Sequence, residues 1–469
     1  MPPRYSSHLL QRQPGVTLTR ARFLGILLFV FVLYFMLIGL SPFSISKFDP
    51  SEVIDEAKGS VLNQFTWSIF AALGFMALLA KPFQARKFFL ASVPLMMLLV
   101  WCALSIFWAP DVILASRRFI RLVFVIIAAA GIAVAVPSLR TFHRTAIVVI
   151  GVVMFINFTS VFVVPGLARD EEGHFVGMYN HRNAAGFVST MAFFCWLSAA
   201  RWSSDGLSRV FLYIGSGIWC IFTFFTASKT SIVISVLSPI AVITLTHIVR
   251  RYGLSAWFSF VTLFFTAMIF LSIMILFTSP TLDEMLGIFL PDTTLTGRTI
   301  LWRFILEEIS FHPWFGVGFG SFWGTGDTSP AVVFGTEFIS VANQGHNGYI
   351  DILLTTGVVG LILFLIFMMS TFLYGMRRLY YDKITGSKNA GVIEFLLYII
   401  FAAVPLNITE SSFLRAATVS WFFFVLAYFI FIREQDRNPG SSQPGFHAHS
   451  RAPGRSVGRA RGPGSSKIE

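Results

Sequence analysis

Gly297-Arg298-Thr-Ile-Leu-Trp302, Gly316-Val-Gly-Phe-Gly320 and Gly345-His346-Asn347-Gly-Tyr349-Ile350 punctuate one stretch of the chain, residues 279–347, that cannot cross a bilayer. Long apolar runs lie on both sides of it. A connection of that length between packed elements usually carries function. It holds an arginine, whose planar fork suits phosphate oxygens, and a histidine, which suits proton transfer near neutrality.

The rest of the chain is greasy. Of 469 residues, 55% are hydrophobic and 12% charged, with a mean hydropathy of +0.73. A soluble domain carries about a quarter charged residues. Several runs reach roughly 20 apolar residues, the length of a hydrocarbon core. They are continuous rather than alternating, which excludes barrel strands. The fold class is therefore an all-α polytopic membrane protein. About twelve spans are predicted, near 23–43, 62–80, 88–108, 118–136, 142–164, 184–201, 207–227, 230–250, 255–278, 348–375, 391–409 and 414–432. The long loop falls between the ninth and tenth. The first run is too long for a signal-peptide core and is read as an uncleaved helix. Cys102, Cys195 and Cys220 all fall inside apolar runs and form no disulfide framework. The sequons at Asn157 and Asn407 sit in or beside spans and are discounted.

Basic residues set the orientation. Of the 35 Lys and Arg, 24 fall in the N-terminal tail, in alternate loops (Lys81, Arg86 and Lys87 in one, Arg377 and Arg378 in another) and in the C-terminal tail. The positive-inside rule makes those segments cytoplasmic. The chain then divides into a cytoplasmic tail (1–22), helices 1–9 (23–278), an extracytoplasmic loop (279–347), helices 10–12 (348–433) and a disordered basic cytoplasmic tail (434–469). The net charge of +12 thus reads as membrane edging and contact with anionic lipid, and not as a nucleic-acid surface.

Four polar constellations face outward. They are Trp108-Ala-Pro-Asp111 with Arg117 and Arg118, then Gly177-Met-Tyr-Asn-His181-Arg182-Asn183, then Ser228-Lys229-Thr230-Ser231, and last the long loop. Cations at span ends are costly and usually have a partner or a function. The glycines 316, 318 and 320 lack the spacing and βαβ context of a nucleotide fingerprint, and read as tight loop packing.

Gly-Arg-x3-Trp, then Pro-x2-Gly-x-Gly-x-Gly, then His-Asn-x-Tyr entering an apolar helix resembles the shared core of the bacterial O-antigen ligase and polymerase superfamily. The wording most resembles the exopolysaccharide repeat-unit polymerases of rhizobia. The resemblance covers about residues 100–370. It implies inverting transfer of a glycan from undecaprenyl pyrophosphate to an acceptor hydroxyl, at the outer face of a bacterial inner membrane. It also implies a catalytic pair, His346 as base and Arg298 on the leaving pyrophosphate. Lys229 stands where members commonly carry a second arginine, so charge is kept there but the bidentate fork is lost. Arg117 is a further candidate for the pyrophosphate. Asn347, Trp302, His181, Arg182 and Asn183 are candidate substrate contacts, with Trp323 a second candidate sugar platform.

No Asp-x-Asp occurs, so neither metal nor cofactor is expected and protein cations take the ion's place. Candidate partners are the lipid-linked glycan, membrane lipid, and chain-length and export proteins of a polysaccharide assembly system. An O-antigen ligase acting on lipid A core is the alternative. A secondary transporter is a more distant one, disfavoured because the charges cluster outside rather than at the midplane. A scaffold without catalysis would leave Arg298 and His346 replaceable.

Overall fold

A computed structural model describes residues 14–39, 61–179, 181–252, 294–325, 329–335, 337–340, 342–385, 389–416 and 418–435. The helices are α1 (Pro14–Ile38), α2 (Val61–Leu79), α3 (Pro82–Ala91), α4 (Val93–Ser105), α5 (Val112–Ala135), α6 (Leu139–Val163), α7 (Arg182–Trp202), α8 (Gly206–Phe225), α9 (Lys229–Tyr252), α10 (Thr294–Phe311), α11 (Gly348–Thr385), α12 (Ala390–Thr409) and α13 (Val419–Glu434). Short helical turns lie between some of them. No strand occurs among the described residues beyond an isolated bridge between Arg169 and Phe175.

Among the described residues, eight helices are long and apolar enough to cross a membrane, or nine if α3 and α4 count as one bent span. The chain is a multi-pass helical membrane protein. The apolar part of α1 is shorter than expected, Phe23–Ile38, and the helix begins earlier, at Pro14. The expected span 255–278 and both tails, apart from residues 14–22, 434 and 435, lie outside the described residues.

Two expected spans are broken. The run 88–108 bends by 73° between α3 and α4, where Pro94 cannot donate a backbone hydrogen bond. The carbonyl of Ala91 at the bend accepts from the hydroxyls of Tyr374 and Tyr428, both at 3.1 Å. The run 348–375 breaks inside α11 at Gly357, whose φ is +68°. Such a break in a span is tolerated where protein re-satisfies the freed backbone groups. Here residues 313–318 do so. Val358 donates to Pro313 O (2.9 Å), Val317 to Leu354 O (2.9 Å) and Gly318 to Thr355 O (3.0 Å). The indole of Trp101 takes Thr356 O at 2.9 Å. The Gly-x-Gly-x-Gly run is thus the strand of backbone that stitches the broken helix. A Cβ on Gly316 would lie 2.6 Å from Gly357 N.

Gly357→Ala is therefore expected to abolish folded protein. The new Cβ would collide with the Trp314 carbonyl at a backbone angle that costs a non-glycine residue about 1–2 kcal/mol before any clash. Gel filtration of the fluorescently tagged variant in detergent reads this out. A wild-type monodisperse peak with unchanged thermal stability would contradict it.

α12 is the central helix, buried along almost its whole length and packed on α7, α9, α11 and α13. Its one internal charge, Glu394, is fully buried. Arg201 Nε (2.6 Å), Trp202 Nε1 (2.7 Å) and the Tyr398 hydroxyl all donate to it, as a buried carboxylate requires. At the end of the bundle that carries the basic loops, several cations cap helix carbonyls. Lys81 reaches Val134 O at 2.7 Å, and Arg433 reaches Ala133 O and Val136 O at 2.8 and 2.7 Å. These bonds satisfy the orphan carbonyls at the end of α5.

The described part of the long loop opens with a helix, α10. α10 packs on the first half of α11 through a core of its own, centred on Leu301, Trp302, Ile305, Phe322, Trp323 and Leu354. That second core holds the Gly-Arg and His-Asn motifs in fixed relation.

Candidate functional site

Glu410, just past the end of α12, is the hub of the site. Its Oε1 accepts from Asn183 Nδ2 at 2.6 Å and from Arg298 Nη2 at 3.3 Å. Its Oε2 lies 3.4 Å from His346 Nδ1. Three segments far apart in sequence, from α7, α10 and the entry to α11, therefore meet on one carboxylate. Burial alone would raise the Glu410 pKa. The hydrogen bond and charge of His346, with Arg298 and His181, outweigh it and hold the carboxyl below its ordinary value.

The backbone fixes the hub as firmly. Glu410 O accepts from Gly348 N at 3.2 Å, and Glu410 N donates to Leu406 O at 2.9 Å. Asn407, fully buried, accepts from Ser412 N (2.8 Å) and Phe413 N (3.0 Å), so it shapes the loop that carries Glu410. Gly348 permits this approach, because a Cβ there would run into the Asn407 side chain. The sequon asparagines are thus structural. Asn157 is likewise fully buried and accepts from Met178 N at 3.0 Å.

His346 adopts a left-handed backbone with φ +49°, rare for a residue with a Cβ and costing about 1–2 kcal/mol. Its neighbours hold it there. Gly345 N donates to both oxygens of Asp351 (3.1 and 3.0 Å), and Gly345 O accepts from the Trp302 indole at 2.8 Å. On the other side, Asn347 Oδ1 accepts from Tyr349 N (3.1 Å) and Ile350 N (3.2 Å) and caps α11. Strain maintained by this many bonds is the kind found at functional positions. Arg415 extends the set. It donates to Gln344 Oε1 at 2.9 Å, and Gln344 Nε2 lies 3.4 Å from His346 Nδ1.

The other expected residues are placed as follows. Asn183 is part of the hub, and its Oδ1 accepts from the Ser228 hydroxyl at 3.0 Å. Lys229 follows directly, exposed at the first turn of α9, and the next residue, Thr230, meets the Thr409 hydroxyl at 2.8 Å. The lysine therefore stands on the rim of the hub. His181 caps α7 and faces the same charges; enclosure lowers its pKa, Glu410 opposes the shift, and Arg182, His346 and Arg298 reinforce it. Trp302 and Trp323 are buried, with indole nitrogens committed to Gly345 O and Asp351 Oδ1, so the structure places them in the outer core rather than on a sugar-binding surface. Asn347 is nearly fully buried in its capping role. Arg117 is exposed on α5. Its neighbour Arg118 donates to Gly320 O (2.8 Å) and Trp323 O (2.7 Å) and pins the glycine stretch.

Arg182 makes its contacts in a second cluster. It donates to Glu172 Oε2 at 2.8 Å and lies 3.1 Å from His174 Nδ1. Asp170, Glu172 and His174 bring their ligand atoms within 4.8 Å of one another, a spacing that suits a cation. The Arg182 guanidinium already supplies positive charge to two of the three, so this group is read as an ion-paired turn.

Glu410 was missed in the sequence. A single glutamate after an apolar run belongs to no local motif.

A polytopic helical bundle with an arginine, a histidine and a carboxylate gathered at one membrane face agrees with what comparison with known families shows. Residues 214–365 match the family model described as O-antigen ligase. That stretch contains Lys229, Arg298 and His346 and stops before Glu410. Over 287 residues, 60% of the chain, the protein is 27% identical to the exopolysaccharide production protein ExoQ of Rhizobium meliloti (strain 1021). The aligned part spans 64% of that relative's length. The likeness to the O-antigen ligase and polymerase superfamily, and to rhizobial exopolysaccharide proteins within it, is thereby shown.

Proposed function

We propose that this protein transfers a glycan from polyprenyl pyrophosphate to an acceptor hydroxyl at the outer face of the membrane, joining exopolysaccharide repeat units with inversion at the anomeric carbon. The observation that carries the reading is the convergence of His346, Arg298 and Asn183 on Glu410. The acceptor oxygen attacks the anomeric carbon as His346 Nε2 takes its proton. The bond from that carbon to the phosphate oxygen breaks, and the pyrophosphate leaves with the electron pair. Glu410 faces His346 Nδ1, orients the ring and stabilises the imidazolium that forms, the role a buried carboxylate plays beside a histidine base. Arg298 spends one N–H on Glu410 and turns its remaining donors to the leaving pyrophosphate. Lys229, at the rim, adds a second positive charge. Proton release to water restores the site.

The likeness to ExoQ favours polymerisation over ligation to lipid A core. Purified protein in nanodiscs, given a lipid-linked oligosaccharide, tests the reading by the size of its products. A ladder of multiples of the repeat is expected, and it should persist in excess EDTA because Arg298 and Lys229 supply the charge that a metal would. Transfer only to an added lipid A core would make the protein a ligase. Strict dependence on magnesium or manganese would remove the proposed donor chemistry. No transfer at all would overturn the reading.

A further inference from the structure

We infer that α3, with the groove beside it, is a binding site for an anionic phospholipid. α3 is held at 73° to the line of α4, and the hydroxyls of Tyr374 and Tyr428 on Ala91 O make that bend part of the packed fold rather than a frayed end. A short helix turned across the end of a span lies in the membrane interface. The side chains agree. Phe83, Phe89 and Leu90 are exposed at 75%, 64% and 61%, far more than a helix packed on protein would leave. Among them stands Arg86, exposed and with no partner among the described residues. Lys87 beside it reaches Arg433 O at 3.3 Å and so ties the helix to the end of α13.

A cavity of about 500 Å³ opens here, lined by Phe83, Arg86, Lys87, Leu90 and Ala91. Cations with apolar lips match a lipid phosphate above its glycerol backbone. A second, apolar groove of about 340 Å³ starts one residue away at Phe89 and runs along Val93, Met96, Met97 and Val100 against Leu363. Its course from Val93 to Leu104 covers ~17 Å at 1.5 Å per residue, about one leaflet of the hydrocarbon core. Headgroup cations and an acyl-length groove thus meet at the α3–α4 bend. The occupant that fits both is a phospholipid of the adjacent leaflet with net negative charge. Arg86 reads the headgroup, and the groove seats one chain.

Native mass spectrometry of the full-length protein in an equimolar mixture of phosphatidylglycerol and phosphatidylcholine tests this. The wild type should retain phosphatidylglycerol about 10-fold over phosphatidylcholine. Arg86→Glu should erase the preference, and Arg86→Gln, which removes the charge without reversing it, should weaken it in the same direction. Met97→Trp, which fills the groove, should reduce the lipid retained while the headgroup preference survives. Equal retention of the two lipids by the wild type would overturn the inference. So would an undiminished preference in both Arg86 variants, or unchanged retention in Met97→Trp. Displacement of phosphatidylglycerol by equimolar polyprenyl phosphate would assign the groove to a glycan carrier and would equally overturn it.

Discussion

Glu410→Gln is expected to lower turnover about 100-fold while the protein stays folded. The amide keeps an oxygen for Asn183 Nδ2 and Arg298 Nη2, so the bonds that join α7 and α10 to the hub survive. What is lost is the charge facing His346 Nδ1 at 3.4 Å. Opposite unit charges near that separation interact by about 4 kcal/mol at an effective dielectric near 20. Partial exposure of the pair discounts this to about 2–3 kcal/mol, which is roughly 100-fold in rate. The charge acts only once His346 has taken the proton, so the loss should appear in turnover and not in donor affinity. Acid sensitivity reports on Glu410. Glu410 titrates below its ordinary value, so its ion-pair contribution to stability is in place above the unfolded carboxyl's range and is lost only as pH falls through the lowered one. Kinetics on the purified variant check this, and near-wild-type turnover of Glu410→Gln would remove the carboxylate from the reaction.

Arg298→Ala is expected to cost about 3–4 kcal/mol of transition-state stabilisation, a loss of 100-fold to 1,000-fold. Arg298→Lys keeps the charge and loses the fork, and should recover little. Lys229→Arg offers the contrast. On the rim of the site an added fork has room, and activity should be retained or raised. The same transfer assay reads all three variants. Wild-type activity in Arg298→Ala would show that the guanidinium serves Glu410 alone.

Much of this site was legible in the sequence because its chemistry rides on local motifs. Gly297-Arg298, Ser228-Lys229 and Gly345-His346 announce polar groups among apolar runs, and the asymmetry of basic residues placed them together at one face. Glu410 carries no such context. Its importance comes from the folding of α12 between α7 and α11, a tertiary fact. Trp302 and Asn347 were legible as present but not as to role. An indole next to a functional arginine suits a sugar face and an outer core equally well, and the structure commits it to Gly345 O. Of the two broken spans, Pro94 marked one. The break at Gly357 had only a glycine to mark it, and glycines are common in unbroken transmembrane helices.

A double-mutant cycle tests most directly whether Glu410 acts through His346. Turnover would be measured for His346→Gln, Glu410→Gln and the double variant in one nanodisc preparation, with donor binding followed separately. If the carboxylate serves the histidine, His346→Gln alone should fall about 100-fold or more, donor binding should stay nearly intact, and adding Glu410→Gln should cost little further. If the two losses multiply, or if His346→Gln keeps most of the turnover, the two residues work independently and the proton is taken elsewhere.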